Sequence, residues 1–194
     1  MTFKILGVGS SMRQGSFSTL TLKIALDFAR KDEIETQLLD LQKTPLPMFY
    51  SEENGTNEIN LVKDQVKWAD AFILATPDYH GSMSGSMKNF LDYFWSDFAG
   101  KLFGYICASH EKGLTVMDQM RTAVRQCYGW SLPYGVSING ENDFENGLIK
   151  NAQIQARLAM LSRDLSVYGK LIRNQFLQDI KNDIPNTFAY RYKK

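Results

Sequence analysis

A chain of 194 residues, 44% of them apolar, has the material for one domain with a buried core. Its formal net charge of +1 argues against binding of nucleic acid or of an acidic membrane surface, and no run approaches the roughly 18–20 apolar residues that cross a bilayer. The two cysteines, Cys107 and Cys127, lie far apart and form no C-x-x-C pair, and Cys107, inside an apolar run, is expected as a buried thiol rather than a disulfide partner or metal ligand.

The first residues enter a strand directly, without the basic start, apolar stretch and cleavage site of a secretory leader, so a cytoplasmic location is expected. Phe3, Ile5, Leu6 and Val8 form that strand, which ends at Gly9-Ser10-Ser11, and Leu20, Ile24, Ala25 and Phe28 mark the inner face of a first helix. Between them lie Met12-Arg13-Gln14-Gly15-Ser16-Phe17-Ser18-Thr19. Hydroxyls, a glycine and one arginine ahead of a helix suit a phosphate monoester, because backbone N–H groups, hydroxyl donors and a guanidinium converge there. The same Ser and Thr residues also serve as plain helix caps, and the residues alone leave both readings open. Neither G-x-G-x-x-G nor a P-loop is present.

Ile34 to Leu41 reads as a second strand, broken by Thr44-Pro45-Leu46-Pro47, with a polar loop through Ser51-Glu52-Glu53-Asn54-Gly55. Ile59, Val62, Val66 and Trp68 then mark a second helix. The centre of the chain is Ala71 to Trp95. Ala71, Phe72, Ile73, Leu74 and Ala75 make a buried strand that Thr76-Pro77 should end, since proline has no N–H for the ladder. A polar loop from Asp78 to Ser82 follows, and Met83, Met87, Phe90, Leu91 and Phe94 recur at helical spacing. Strand, polar loop and helix in that order place a ligand site beyond the carboxyl end of the strand.

Leu102 to Ser109 reads as a fourth strand, followed by Ser109-His110-Glu111-Lys112-Gly113 and a helix through Met117, Met120, Val124 and Cys127. Leu132 to Ile138 is the predicted fifth strand, Asn139 to Asn146 a polar loop, and Asn151 to Leu171 the last helix. The tail from Arg173 to Lys194 mixes Phe176, Ile180, Ile184 and Phe188 with charge, and suits docking on the domain or on a partner subunit. Residues 1–172 are thus expected to form the domain, with 173–194 as its C-terminal extension.

Two stretches carry a family resemblance. Thr76-Pro77-Asp78-Tyr79-His80-Gly81-Ser82, continuing through Ser84-Gly85 to Lys88-Asn89-Phe90-Leu91-Asp92, is similar to the T-P-E-Y-x-G-S-x-x-G-x-x-K-N-x-L-D signature of the NADPH-dependent FMN reductases, with Asp78 where glutamate is usual. Ser11-Met12-Arg13-Gln14-Gly15-Ser16-Phe17-Ser18 resembles the same family's S-L-R-x-G-S-x-[NS] phosphate loop, with Ser10 where glycine is frequent. Asp40 to Phe49 resembles its stretch after the second strand.

The resemblance implies a flavodoxin-like α/β sandwich with a five-stranded parallel sheet in the order 2-1-3-4-5 and helices on both faces, and an NAD(P)H oxidoreductase with FMN as cofactor. It implies that Arg13, Ser16 and Ser18 hold the FMN phosphate, with Ser11, Gln14, Gly15 and Phe17 in the same loop. Pro77, Asp78, Tyr79, His80 and Gly81 would run along the pyrimidine side of the flavin, their backbone amides facing it, and Ser109 would contact it from the fourth strand. No side-chain acid or base is needed, because the flavin carries the chemistry. The electrons would pass to a small-molecule acceptor: a quinone, an azo compound, free flavin or a metal oxyanion. The family resemblance also implies a homodimer or homotetramer, with Tyr93, Trp95 or Phe98 at the interface.

Other classes fit less well. With two histidines and no H-E-x-x-H, a metal site is not expected, and without G-x-S-x-G neither is a hydrolase. A non-catalytic electron carrier or flavin redox sensor on the same fold is the alternative; such carriers are usually strongly acidic, with a T-x-T-G-x-T phosphate loop, and this chain has neither feature.

Overall fold

The apolar run that opens the chain becomes β1 (Lys4–Gly9), and Phe17–Lys31 becomes α1. In the computed structural model, which describes residues 2–50 and 56–193, these are followed by β2 (Glu35–Asp40), α2 (Asn57–Trp68) and β3 (Ala71–Pro77). Then come α3 (Gly85–Asp92), β4 (Leu102–Ala108), α4 (Leu114–Gln126), β5 (Trp130–Ser131) and β6 (Val136–Ile138). A single turn, α5 (Gly140–Asp143), the hairpin β7 (Phe144–Glu145) and β8 (Leu148–Ile149), and the long α6 (Ala152–Lys181) complete the order. The polar loop predicted at Ser51 to Gly55 lies outside the described residues.

The strands pair in parallel in the order β2-β1-β3-β4-β5, the doubly wound order expected for a flavodoxin-like sheet. Every residue of β3 is buried, because helices cover both faces. Val62 and Val66 of α2, Met87, Phe90 and Leu91 of α3, and Met117, Met120 and Val124 of α4 pack one face. Leu22, Ala25 and Leu26 of α1 and Leu158, Leu161 and Leu165 of α6 pack the other.

Four expectations about the elements need correction. The fifth strand is interrupted: β5 pairs with the start of β4 and β6 with its end, while Pro133, which lacks a ladder donor, lies in the gap. The last helix runs ten residues past Leu171, to Lys181, because Phe176 and Ile180 continue its apolar spacing and pack at the base of the sheet. Phe98 points into the core rather than toward a partner: α3 stops at Asp92, and a separate 3-10 turn, Ser96–Phe98, buries the ring completely. The short β7–β8 hairpin starts inside the stretch read as a polar loop.

A buried cation sits below the sheet. Lys101 is 4% exposed, donates from Nζ to the Val66 carbonyl at 2.7 Å and lies 5.5 Å from the Phe72 ring centroid. Burial, aided by the nearby Arg173 guanidinium, brings its ammonium down to about 8, with Asp70 and Asp97 offsetting part of the effect. An unfolded lysine still holds its proton between pH 8 and about 10.5, whereas the folded one does not, so the unfolded state binds more protons there and stability contributed by this site rises with pH. Below pH 8 both states are protonated and the burial cost is constant. Compared with Lys101→Met, the wild-type chain is expected to gain about 1 kcal/mol between pH 7 and pH 9 in urea unfolding. Cys107, whose thiol burial and Asp78 push up to about 12, is common to both proteins and cancels. A pH-independent difference would mean that the ammonium stays hydrated.

Candidate active site

The carboxyl ends of β1, β3 and β4 open onto one cleft of about 610 Å³. Of the residues expected there from the sequence, Ser11, Arg13, Gln14, Gly15, Ser16, Phe17, Pro77, Asp78, Tyr79, Gly81 and Ser109 line it. Two do not. Ser18 is fully buried on the inner side of α1, and its Oγ meets Ser16 Oγ at 2.9 Å, so it positions a lining hydroxyl. His80 stands at the exposed tip of the loop. Residues 108, 110, 111, 140 and 141 add Ala108, His110, Glu111, Gly140 and Glu141 to the wall.

The start of α1 distinguishes the two readings of the first loop. Thr56, Ser84 and Asn151 each accept from a backbone N–H at the start of their helices, whereas Ser16 makes no such side-chain bond. The first turn of α1 also carries no acidic residue. Its leading N–H groups and dipole therefore face the cleft uncapped. Arg13 stands beside them with no ion-pair partner among the described residues; its guanidinium lies 5.7 Å from the Tyr79 ring centroid, and its backbone N–H donates to Ser11 Oγ at 3.2 Å. An uncapped helix start, two serine hydroxyls and a free guanidinium form a donor set without an acceptor, which fits a phosphate monoester.

The second loop folds as a tight hairpin turn. Tyr79 and Ser82 exchange backbone bonds of 3.0 and 3.2 Å, and both central residues have positive φ, 57° at His80 and 75° at Gly81. That is the sign pattern of a type I′ turn, which favours glycine and tolerates histidine better than branched side chains. Asp78 fixes the turn from inside: its Oδ1 accepts from Gly81 N at 2.8 Å and its Oδ2 from Ser109 Oγ at 2.7 Å. The amides of Asp78, Tyr79 and Gly81 are thus spent within the protein. Of the amides expected to face a flavin edge between Pro77 and Gly81, only that of His80 has no acceptor among the described residues, since Pro77 has no N–H.

Sequence reasoning missed the groups that hold these loops in place. Ser10, where the family pattern favours glycine, is buried: its hydroxyl donates to the Ala75 carbonyl at 3.1 Å and lies 2.8 Å from Ser84 Oγ. The Ser84 N–H donates to Thr76 Oγ1 at 3.0 Å, so three buried hydroxyls tie the first loop to the second. Gln119 on α4 clamps the far side, accepting from Ser82 Oγ at 2.9 Å and Met83 N at 3.2 Å and donating to the Gly81 carbonyl at 3.2 Å. Asn89 holds the 42–50 segment against α3 by accepting from Phe49 N at 2.7 Å and donating to the Pro47 carbonyl at 2.8 Å. Apart from Ser84 and Thr76, which are eight residues apart, these partners are dozens of residues apart, and nothing local in the sequence pairs them.

Among the described residues no helix is long and apolar enough to cross a membrane. The model of the family described as NADPH-dependent FMN reductase matches residues 3–143. An NADPH azoreductase from Bacillus sp. strain OY1-2 is 32% identical over 147 residues, covering 72% of this chain and 83% of that one. An FMN-dependent NADPH-azoreductase from Staphylococcus saprophyticus is 27% identical over 148 residues, 71% of this chain and 77% of that one. Among solved structures, a flavoenzyme NAD(P)H:(acceptor) oxidoreductase from Paracoccus denitrificans superposes with a TM-score of 0.74 at 15% identity, over 88% of this chain and 98% of that one, a likeness of fold. With the sheet order, the cleft and both loops in place, the chain belongs to the NADPH-dependent FMN reductase family.

Proposed function

We propose that this NAD(P)H-dependent oxidoreductase holds FMN in the cleft between the first loop and the Pro77–Gly81 turn, and passes electrons from a reduced nicotinamide to a small acceptor. The observation that carries the placement is the uncapped start of α1 beside the unpaired Arg13. Arg13, Ser16 and the α1 amides would hold the phosphate, with Ser18 orienting Ser16. Pro77, Tyr79 and Gly81 would line the flavin's edge, with the His80 amide as the free donor of that turn. Bound FMN would supply the redox chemistry that links NAD(P)H to the acceptor. The protein's part is to bind, orient and exclude water. Relatives named as azoreductases favour an azo compound as one acceptor; quinones, free flavin and metal oxyanions belong to the same proposal. A cytoplasmic setting, where reduced nicotinamide is available, completes it.

Purification without added cofactor should give a yellow protein whose released flavin runs as FMN by chromatography; recovery of FAD would overturn the assignment. The same protein should oxidise NADPH or NADH when methyl red or menadione is added. Bound flavin that neither nucleotide reduces, yet that exchanges electrons with another redox protein, would make the carrier reading correct.

The assembly proposed is at least a homodimer paired through the outer side of the segment after α3. Trp95 is 68% exposed there, whereas Tyr93 is engaged in its own chain, donating from its hydroxyl to the Pro47 carbonyl at 2.9 Å and meeting the Phe49 ring edge-on. A closed two-fold pair is the commonest form for such a surface. Light scattering at low micromolar concentration should give twice the chain mass or more, and Trp95→Ser should lower it. A monomer mass for the active, flavin-loaded chain would refute this.

A further inference from the structure

A second cleft, of about 520 Å³, opens at the other end of the sheet. Its strand, β5, pairs with Leu102 and Phe103 at the start of β4, whereas Ser109 of the first cleft follows the end of β4. A seven-residue strand spans about 20 Å, so the two clefts are separate sites.

Its walls come from the end of α4, from β5 and from the C-terminal tail. Arg121 and Arg125 are four residues apart on α4 and therefore share a face. Past α6, the tail turns back and its rings interlock: Phe188 lies 6.2 Å from Tyr128, 6.0 Å from Phe176 and 5.3 Å from Tyr192, centroid to centroid. Lys193 closes the turn by an ion pair with Asp183 at 2.7 Å. Phe176 occupies the space where a side chain at Gly100 would stand; a Cβ there would come within 2.2 Å of its ring, and Gly100 has a φ of +69°. The tail is thus seated on its own domain, and through Phe188 it completes the cleft. It lies beyond residues 3–143, the part matched by the family model.

The chemistry of this cleft is one-sided. Two guanidinium groups line it and, among the described residues, no carboxylate does. Arg121 is partly committed: one terminal nitrogen pairs with the exposed Asp118 at 2.7 Å, the group lies 5.1 Å from the Tyr105 ring centroid, and its buried Nε has no acceptor among the described residues. Arg125 has no ion pair or hydrogen-bond partner among the described residues. Ser131 Oγ is 2.6 Å from the buried Tyr105 hydroxyl. When that phenol donates to Ser131, the serine hydrogen is free to point into the cleft. Tyr128, Trp130 and Phe188 are 40%, 52% and 42% exposed. Single exposed rings need no explanation, but three around the unpaired Arg125 in one concavity of small-ligand size form a recognisable combination.

The rings favour a flat apolar body, and the forked arginine donors favour an oxyanion with two oxygens spaced to accept parallel bonds. A divalent cation finds no carboxylate here among the described residues, and a polyanion such as nucleic acid would need more than two cations. We propose that this cleft binds a planar aromatic monoanion, a carboxylate or sulfonate, with its oxyanion on Arg125 and Ser131 and its ring against Trp130 and Phe188.

The test uses the full chain saturated with FMN and the redox-inert probe 2-naphthalenesulfonate, followed by calorimetry and Trp fluorescence. Saturable binding at one probe per chain is expected. Arg125→Gln should weaken it about tenfold or more, the loss of a charge-assisted contact. The neutral 2-naphthalenesulfonamide should bind wild type correspondingly less well, and should not distinguish wild type from Arg125→Gln. Phe188→Ala should also weaken binding, with circular dichroism checking that the tail variant is folded; Arg125 is exposed and unpaired, so its variant keeps the proposal testable by itself. Arg13→Ala should bind the probe as wild type does. Absence of saturable binding into the millimolar range, equal affinity in Arg125→Gln, or loss in Arg13→Ala instead would each overturn the proposal.

Discussion

Replacing Phe98 by alanine is expected to cost about 3–5 kcal/mol of stability, the range for deleting a fully enclosed aromatic side chain. The ring is 0% exposed and sits among four others, with centroids 4.9 Å from Phe103, 5.3 Å from Phe72, 5.6 Å from Phe94 and 6.4 Å from Phe90. Phe72 and Phe103 are themselves stacked at 4.6 Å across β3 and β4 and cannot close over the hole without breaking that contact. Such a loss is a large share of a typical domain's net stability of roughly 5–15 kcal/mol. Urea unfolding should show a lower midpoint at an unchanged slope. By contrast, Trp95→Ser, three residues earlier and largely exposed, should leave the stability of the single chain within about 0.5 kcal/mol. If Phe98→Ala cost less than about 1 kcal/mol, the ring cluster would not be the packed core it resembles.

The contrast between Phe98 and Trp95 shows what the sequence made legible. Buried strands announce themselves as short apolar runs, and β1, β3 and β4 fall within a residue or two of where those runs predict them. The strand order, however, came from the family resemblance, since apolar runs do not say which neighbours they have. Counting on from Met83 through Phe94 leaves Phe98 four residues beyond the buried Phe94, on the inner side, so its expected place at an interface went against its spacing; the turn after α3 buries the ring completely. The reading of α6 stopped short, although Phe176 and Ile180 carried the signal to extend it. At the candidate site, the hydroxyls, Arg13 and the Tyr79–Gly81 turn singled out by residue type gather around one cleft at one end of the sheet. What could not be read were the pairings across long stretches of chain, Ser10 with Ser84 or Gln119 with Ser82, because a serine or glutamine looks alike whether it meets water or a partner. Whether Ser16 capped its helix was likewise a question of rotamer, which composition does not encode.

Arg13→Ala is expected to weaken FMN binding by about 1.5–3 kcal/mol, roughly a 10- to 150-fold rise in Kd. Arg13 has no carboxylate partner to compete for its charge among the described residues, and it stands at the open start of α1, where the helix field favours an anion. The remaining donors, Ser16 Oγ and the leading amides of α1, would still hold the phosphate, which is why the loss should be partial. Arg13→Lys keeps the charge without the fork and should fall between the two. Removing the arginine is not expected to disturb the fold, because the side chain is exposed and its one ring contact, with Tyr79, is 5.7 Å away. The decisive comparison is with riboflavin, which has the same ring and ribityl chain but no phosphate. Quenching of flavin fluorescence should show Arg13→Ala binding riboflavin as the wild type does while binding FMN more weakly, and raising the salt concentration should narrow the FMN difference. Equal losses for the two flavins would mean that Arg13 supports the ring through Tyr79 instead, and no loss for FMN would place the phosphate elsewhere in the cleft.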